Sequence, residues 1–133
     1  MNASTPREFL LDTNIIIALF GAAQDLKWQL SYDLQYWVPC VVVGELIYGA
    51  HYSAEIRQNL SEIEAFIESM RIAICDGETA QYFGRMKGDL RRRGKMIPDN
   101  DIWIAAIAMQ RQLTLLTRDR HFDSVQGLAF EAW

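Results

Sequence analysis

The sequence predicts a three-layer α/β/α domain, in which helices cover both faces of a mainly parallel sheet of four to five strands. Short apolar segments alternate with longer ones whose apolar residues recur every three or four positions, the pattern of strands followed by helices. Continuous apolarity is typical of strands that are buried on both faces. The 133 residues contain no linker, repeat or low-complexity segment, so a single domain is expected over residues 1–133.

The chain begins with a strand and a helix. Glu8–Leu11 is a short apolar strand that ends in Asp12. Asn14 then opens the run IIIALF, whose continuous apolarity predicts a helix buried against the sheet. The same helical spacing is found at Leu26, Leu30 and Leu34.

A second strand is predicted over Trp37–Val42, with Pro39 inside it. From Val43 to Tyr52 the pattern favours a helix again. The next helix follows from apolar residues three or four positions apart. These are Ile56, Leu60, Ile63, Ile67 and Met70.

The second half repeats this alternation. Arg71–Cys75 is a third short strand, and the helix after it begins at Gly77 or Thr79 and ends near Gly94, because glycine is common just past a helix end. The remaining elements are a helix from IPDND to about Gln112, a strand over Leu113–Thr117 and a fifth strand in LAFEA.

Composition narrows the class of protein. The N-terminus MNASTPREF lacks the pattern of a secretion signal, and no apolar run approaches the roughly 20 residues of a membrane span. A cytoplasmic protein without membrane contact is therefore expected. Cys40 and Cys75 lie in apolar segments without metal-ligand spacing, which predicts two buried free thiols.

The net charge of −4 hides an uneven distribution of charge. Six bases and one acid lie between Arg85 and Lys95. This segment is a candidate contact for nucleic-acid phosphates, although a solvated helix end explains it equally well. The bases assigned to such a contact are Arg91, Arg92, Arg93 and Lys95.

Acidic residues follow the predicted strands, at the edge where open parallel sheets bind ligands. Asp12 ends the first strand, Asp101 begins a helix, and Asp119 lies two residues after LTLLT. Glu45 is the lone charge in VVVGELIYGA, so it needs a partner or a pocket. If these four carboxylates converge, their repulsion requires a cation.

Mg²⁺ or Mn²⁺ suits such an all-oxygen site, because either ion binds one or two carboxylates directly and leaves positions open for a phosphate. The site could then activate water for in-line attack on a phosphodiester. Helix capping and turn formation remain alternatives for each acid taken singly. In IPDND, Asp99 is expected to cap the helix, and Asp101 is expected to face the pocket.

Four motifs, LLDTNIII, VVVGELIYGA, NDIWIAAIA and LLTRDRHF, occur in this order from Leu10 to about Val125. Together they resemble a PIN-domain ribonuclease of the VapC toxin type. The resemblance implies an Mg²⁺- or Mn²⁺-dependent endoribonuclease with an RNA substrate, a cognate VapB-like antitoxin and a homodimeric state. The metal-site acids it implies are Asp12, Glu45, Asp101 and Asp119, with Asn14 and Thr117 as supporting polar residues.

Two features depart from the family pattern. Val41, Val42 and Val43 stand where members often carry Ser or Thr, so a hydrogen bond that supports the site is expected to be missing. Asp99 is an additional acid, provisionally grouped with the supporting residues, whose role the resemblance does not define.

Two other functions fit parts of this pattern. A receiver-like signalling module also places an acidic Mg²⁺ pocket at strand ends, but it requires paired acids after the first strand, a phosphoacceptor Asp after the third and a Lys after the fifth. Here the third strand offers only Asp76, and no Lys follows Lys95. A PIN-like scaffold that binds RNA without cutting it is expected to have lost some of the acids.

The two histidines, His51 and His121, are interpreted as surface or structural residues. The aromatic residues Tyr48, Tyr52 and Trp103 are expected in the core or at a dimer interface.

Overall fold

The computed structural model describes residues 7–20 and 35–133. The helical pattern predicted at Leu26, Leu30 and Leu34 lies outside these residues. In the described part, five parallel strands form one sheet in the order β3-β2-β1-β4-β5. The strands are β1 (Glu8–Leu11), β2 (Gln35–Pro39), β3 (Arg71–Ala73), β4 (Thr114–Thr117) and β5 (Phe130–Ala132).

Five helices and one short 3-10 helix surround this sheet within the described residues. The layered α/β fold that the apolar pattern predicts is thus confirmed. None of the described helices has the length and apolarity needed to cross a membrane. The helices are α1 (Thr13–Phe20), α2 (Cys40–His51), α3 (Ile56–Glu68), α4 (Gly77–Arg92) and α5 (Asp99–Arg111), and the 3-10 helix covers Arg120–Ser124.

The core lies around the central strands β1 and β4 and the helix α5. Leu10, Leu11, Leu115 and Leu116 on the two strands are fully buried. In α5, small and branched side chains alternate along Ile104–Ala108, all of them buried, which allows close helix–sheet packing. On the outer side of α5, Trp103 stacks on Phe83 of α4 with ring centroids 4.0 Å apart. Trp103 is therefore a helix–helix packing residue.

Proline decides where β2 ends. The strand stops at Pro39, three residues earlier than predicted, and α2 begins at Cys40 rather than Val43. Pro39 has the extended conformation of an N-cap residue, with φ −64° and ψ 141°. The valines that follow favour strands, but Val42 is fully buried in the first turn of α2. Tertiary burial here outweighs the intrinsic preference for strand.

The two cysteines differ from their predicted state. Both are free thiols, but Cys75 is exposed and Cys40 is only partly buried. They follow the neighbouring strands β2 and β3, so their Sγ atoms lie 3.7 Å apart although 35 residues separate them in the chain. Burial and the neighbouring Cys40 thiol raise the pKa of Cys75 to about 11.

Candidate active site

Strand order places the acidic residues in one crevice. Successive strands run outward from β1 on one side to β2 and β3, and on the other to β4 and β5, so the order changes direction between β1 and β4. Ligands bind at such a point, outside the carboxyl ends of the strands. Asp12 directly follows β1, and its N–H donates to the Leu116 carbonyl of β4 at 3.0 Å. The order also differs from the 2-1-3-4-5 order of a receiver-like module.

Asp12 lies at the bottom of the crevice and is 3% exposed. Its carboxylate accepts hydrogen bonds from the Thr117 hydroxyl at 2.7 Å and from the Thr13 backbone N–H at 2.8 Å. Burial raises the pKa of Asp12, these hydrogen bonds oppose the rise, and repulsion from Asp119 and Glu45 adds to it. The charged form of the Asp12 carboxyl is therefore disfavoured by burial and partly stabilised by these hydrogen bonds.

Asn14 joins the two strand ends. Its Nδ2 lies 3.4 Å from the Asp12 and Asp119 carboxylates and from the Thr117 hydroxyl. Its Oδ1 accepts from the backbone N–H of Arg118 at 3.0 Å. Asn14 and Thr117 thus lie where the motif resemblance places supporting residues, and Asp119 is drawn towards Asp12 through neutral donors.

Glu45 reaches the crevice from α2. Its carboxylate accepts from the Thr13 hydroxyl at 2.8 Å and from Asn100 Nδ2 at 3.3 Å. The Ser or Thr missing at Val41–Val43 therefore leaves Glu45 with partners from other elements. The missing hydrogen bond at these valines stays a prediction, and Thr13 and Asn100 are the partners that Glu45 has.

Asp101 faces the crevice from the first turn of α5, and its side chain is 18% exposed. Its Oδ2 lies 3.0 Å from Nε2 of His121. This buried nitrogen has no hydrogen-bond partner of good geometry among the described residues, so its approach to Asp101 is a close polar contact. Burial raises the pKa of Asp101, repulsion from Asp12 adds to the rise, and His121 opposes it.

Asp99 lies outside the crevice. The N-cap of α5 is Pro98, with extended backbone and no side-chain cap, so the prediction that Asp99 caps this helix is wrong. As the first helical residue, Asp99 has a 58% exposed side chain that forms a salt bridge with Lys87 at 2.9 Å. The two aspartates of IPDND therefore have different surroundings, and only Asp101 joins the other three acids.

The chemistry of the crevice fits a hard divalent cation. Its four carboxylates supply only oxygen ligands, and no Lys or Arg of residues 7–20 and 35–133 forms a salt bridge with any of them. The side chains of these residues do not, however, form a ready group of three that could hold a metal. Glu45 and Asp101 are instead directed towards neighbours on the protein. The crevice thus has the negative charge and the oxygen ligands that a cation needs, although its side chains are not arranged as a ready metal site.

The basic segment is only partly available to a ligand. Arg93, part-buried, donates to Asp89 at 2.6 Å and to the Ser124 carbonyl at 2.6 Å, so it joins α4 to the 3-10 helix. Its role in the fold is structural. Arg91, Arg92 and Lys95 are exposed and form no salt bridge with described residues.

Three residues near the acids make contacts that the sequence predictions did not include. Thr13 and Asn100 bind Glu45, and both lie inside motifs already recognised, D-T-N and P-D-N-D. His121 was assigned to the surface or to a structural role, yet it contacts Asp101. The spacing of His121, two residues after Asp119, was the available signal.

Several known proteins resemble this chain in sequence. A profile of the PIN domain matches residues 9–128, which include all four acids. Ribonuclease VapC2 of Haemophilus influenzae is 34% identical over 130 residues, covering 95% of this chain and 98% of that protein. The tRNA(fMet)-specific endonuclease VapC of Shigella flexneri is 32% identical, with the same coverage.

Several solved structures have the same fold as this chain. The chain superimposes on one in the VapBC2 complex of Rickettsia felis bound to a promoter DNA fragment, with TM-score 0.86 and 25% identity. A chain of VapBC-1 from nontypeable Haemophilus influenzae matches with TM-score 0.84 and 27% identity. Each match covers 95% of this chain and 98% of the other.

We predict that Thr117→Val lowers the free energy of unfolding by about 1–3 kcal/mol, because it leaves the buried Asp12 carboxylate and the Asp119 N–H without their hydroxyl partner. Urea unfolding at pH 7 in EDTA measures this loss. Thr114→Val is the matched control, since Thr114 starts the same strand and its hydroxyl makes no hydrogen bond in the described structure. Equal losses in the two variants would contradict the assigned role of the Thr117 hydroxyl.

Proposed function

This chain belongs to the PIN-domain family, and from that membership and its acidic crevice we propose that it is the toxin of a VapBC-like toxin–antitoxin pair, a metal-dependent endoribonuclease. The observation that carries the proposal is the meeting of Asp12, Glu45, Asp101 and Asp119. They come from four parts of the chain, and no Lys or Arg among the described residues forms a salt bridge with them. Burial raises the pKa values of Asp12 and Asp101, and repulsion from the neighbouring acids adds to the rise. The substrate is RNA, and the reaction is hydrolysis of a phosphodiester bond.

The four acids are the residues that would hold Mg²⁺ or Mn²⁺. A bound divalent cation supplies charge neutralisation at the phosphate and activation of the attacking water. Asp12 is held in one orientation by Thr13 and Thr117, so it provides a rigid ligand. Glu45 and Asp101 are less buried and orient water at the open side of the crevice.

A cognate antitoxin has a suitable place to bind. An apolar groove of about 240 Å³ runs between α1, α2 and α3, lined in part by Ile17, Phe20 and Ile63, and Glu45 and Thr13 lie on its wall. An apolar segment in this groove could direct an arginine to the crevice, where a guanidinium matches carboxylates bidentately. The similar Rickettsia felis and Haemophilus influenzae structures are both VapBC complexes.

A homodimer is part of the same proposal. Tyr48 and Tyr52 at the end of α2 are 68% and 83% exposed, and their rings stack with centroids 6.1 Å apart. They are therefore not core residues. Large exposed aromatic side chains of this kind are enriched at protein interfaces.

Chelation is the first test of the mechanism. EDTA should abolish RNA cleavage, and added Mg²⁺ or Mn²⁺ should restore it, because no described Lys or Arg forms a salt bridge with the four carboxylates and a divalent cation is needed to neutralise them. Electrophoresis of a cleaved RNA pool measures the rate, and EDTA already saturated with Mg²⁺ is the control. Undiminished cleavage in free EDTA would refute the metal mechanism, and absence of cleavage with added metal would favour the RNA-binding scaffold.

The two aspartates of IPDND give a matched pair of variants. Asp101→Asn should fold normally but lower the cleavage rate by more than about 100-fold, beyond the loss typical when a residue that only orients a metal ligand is changed. Asp99→Asn should stay within about threefold of the wild type, since it removes only an exposed salt bridge to Lys87. Rates and thermal melts of both variants decide the assignment. Normal cleavage by Asp101→Asn would remove this residue from the site.

Inhibition by the antitoxin is tested with the small protein encoded directly upstream, if it copurifies with this chain. The purified complex should cut RNA far more slowly than the free toxin, because an antitoxin arginine occupies the acidic crevice. Replacing that arginine with alanine should restore cleavage while the complex remains assembled. A wild-type complex that cuts RNA as fast as the free chain would contradict this model.

A further inference from the structure

The acidic crevice presents an electrostatic problem to an RNA substrate. RNA is a polyanion, and four carboxylates at the cleavage point repel it. A bound cation neutralises charge at the phosphate under attack but leaves the adjoining phosphates without a partner. Cationic side chains beside the crevice are therefore needed to hold the strand in place.

Six of the twelve Lys and Arg residues in the described parts of the chain are already engaged by other groups. Four of them form salt bridges with acids outside the crevice, and two lie over aromatic rings without an acid partner. They are Arg7 with Glu131, Arg71 with Glu8, Lys87 with Asp99, Arg93 with Asp89, Arg85 over Tyr82 and Arg111 over Trp37.

Arg118 and Arg120 differ from that set in both position and freedom. They flank Asp119 in the segment that leaves β4, directly at the carboxyl end of the sheet. Both residues are exposed, and neither side chain forms a salt bridge, hydrogen bond or cation–π contact with a described residue. Their charge is available to a ligand at the edge of the crevice.

The backbone that carries the two arginines is held firmly. The Arg118 N–H donates to Asn14 Oδ1, and the Asp119 N–H donates to the Thr117 hydroxyl, both at 3.0 Å. Arg120 then begins the 3-10 helix, which the fully buried Phe122 anchors in the core. The Cα positions are thus defined relative to the acids, while the long side chains remain free to adapt.

We propose that Arg118 and Arg120 bind the RNA phosphates that adjoin the scissile phosphodiester. This inference rests on the proposed ribonuclease function and names the residues that position its substrate. A guanidinium presents paired donors that fit a phosphate, and an exposed, unpaired arginine gives up no protein contact to make that bond. Arg91 and Arg92 are also unpaired, but their backbone has no bond to a residue of the crevice.

The test measures RNA binding without cleavage. A single-stranded RNA oligonucleotide is titrated in EDTA at several salt concentrations against the wild type, Arg118→Gln, Arg120→Gln and the double variant. Arg57→Gln is the matched control, because Arg57 is exposed on α3, forms no salt bridge in the described structure and carries the same charge. The pair Arg118→Lys with Arg120→Lys tests whether charge alone is sufficient.

Each glutamine variant should weaken binding about tenfold at low salt and reduce the salt slope by about 0.7, the value for one phosphate contact on a single strand. The double variant should lose about twice that slope, and the lysine pair should keep it. With Mg²⁺ present, KM should rise while kcat stays within about threefold, as expected when a ground-state contact is removed.

A double variant that binds with the affinity and slope of Arg57→Gln would overturn the proposal, even if the wild type cuts RNA. A wild type that binds RNA with a normal slope but never cuts it would refute the proposed function, while the same binding comparison still decides the role of the arginines. A wild type that binds no RNA would overturn both.

Discussion

The Thr117 hydroxyl is the contact on which the crevice depends. It donates to the buried Asp12 carboxylate at 2.7 Å and accepts from the Asp119 N–H at 3.0 Å. Through it, the ends of β1 and β4 are joined by a side chain as well as by the ladder of the sheet. A buried carboxylate that lacks hydrogen-bond donors lowers the stability of the fold more than an exposed one does. The Thr117 hydroxyl, together with the Thr13 N–H, offsets this loss for Asp12 at the bottom of the crevice.

The acids of the crevice have different partners from the acids that form salt bridges elsewhere in the described residues. Outside the crevice, Glu8, Asp89, Asp99 and Glu131 lie against arginine or lysine. Inside it, the carboxylates accept from hydroxyl, amide or backbone donors, and the imidazole of His121 lies beside Asp101. Neutral donors orient a carboxylate without cancelling its charge. The negative potential is thereby kept for a cation, at some loss of stability in the fold.

The same division extends to the cations. Arg93, one of the bases predicted to contact phosphates, instead joins the end of α4 to the 3-10 helix, and Lys87 joins α4 to the start of α5. The arginines that remain free beside the acids are on the segment after β4, and their backbone is bonded to the crevice itself. One short stretch, from Thr117 to His121, therefore contains the acid Asp119, the hydroxyl that bonds its backbone and the two arginines.

The sequence by itself determined the layered fold, the order of strands and helices, and the four candidate acids, because apolar period and strand-end position are local properties of the chain. It could not determine the partners of those acids, since the bonds join residues far apart, such as Thr13 with Glu45 and Asp12 with Thr117. Only tertiary structure paired Asp99 with Lys87, engaged Arg93, brought Cys40 beside Cys75 and placed His121 next to Asp101. These contacts depend on which strand ends lie next to each other in the sheet. A local sequence pattern carries no information about the distance between residues that are far apart in the chain.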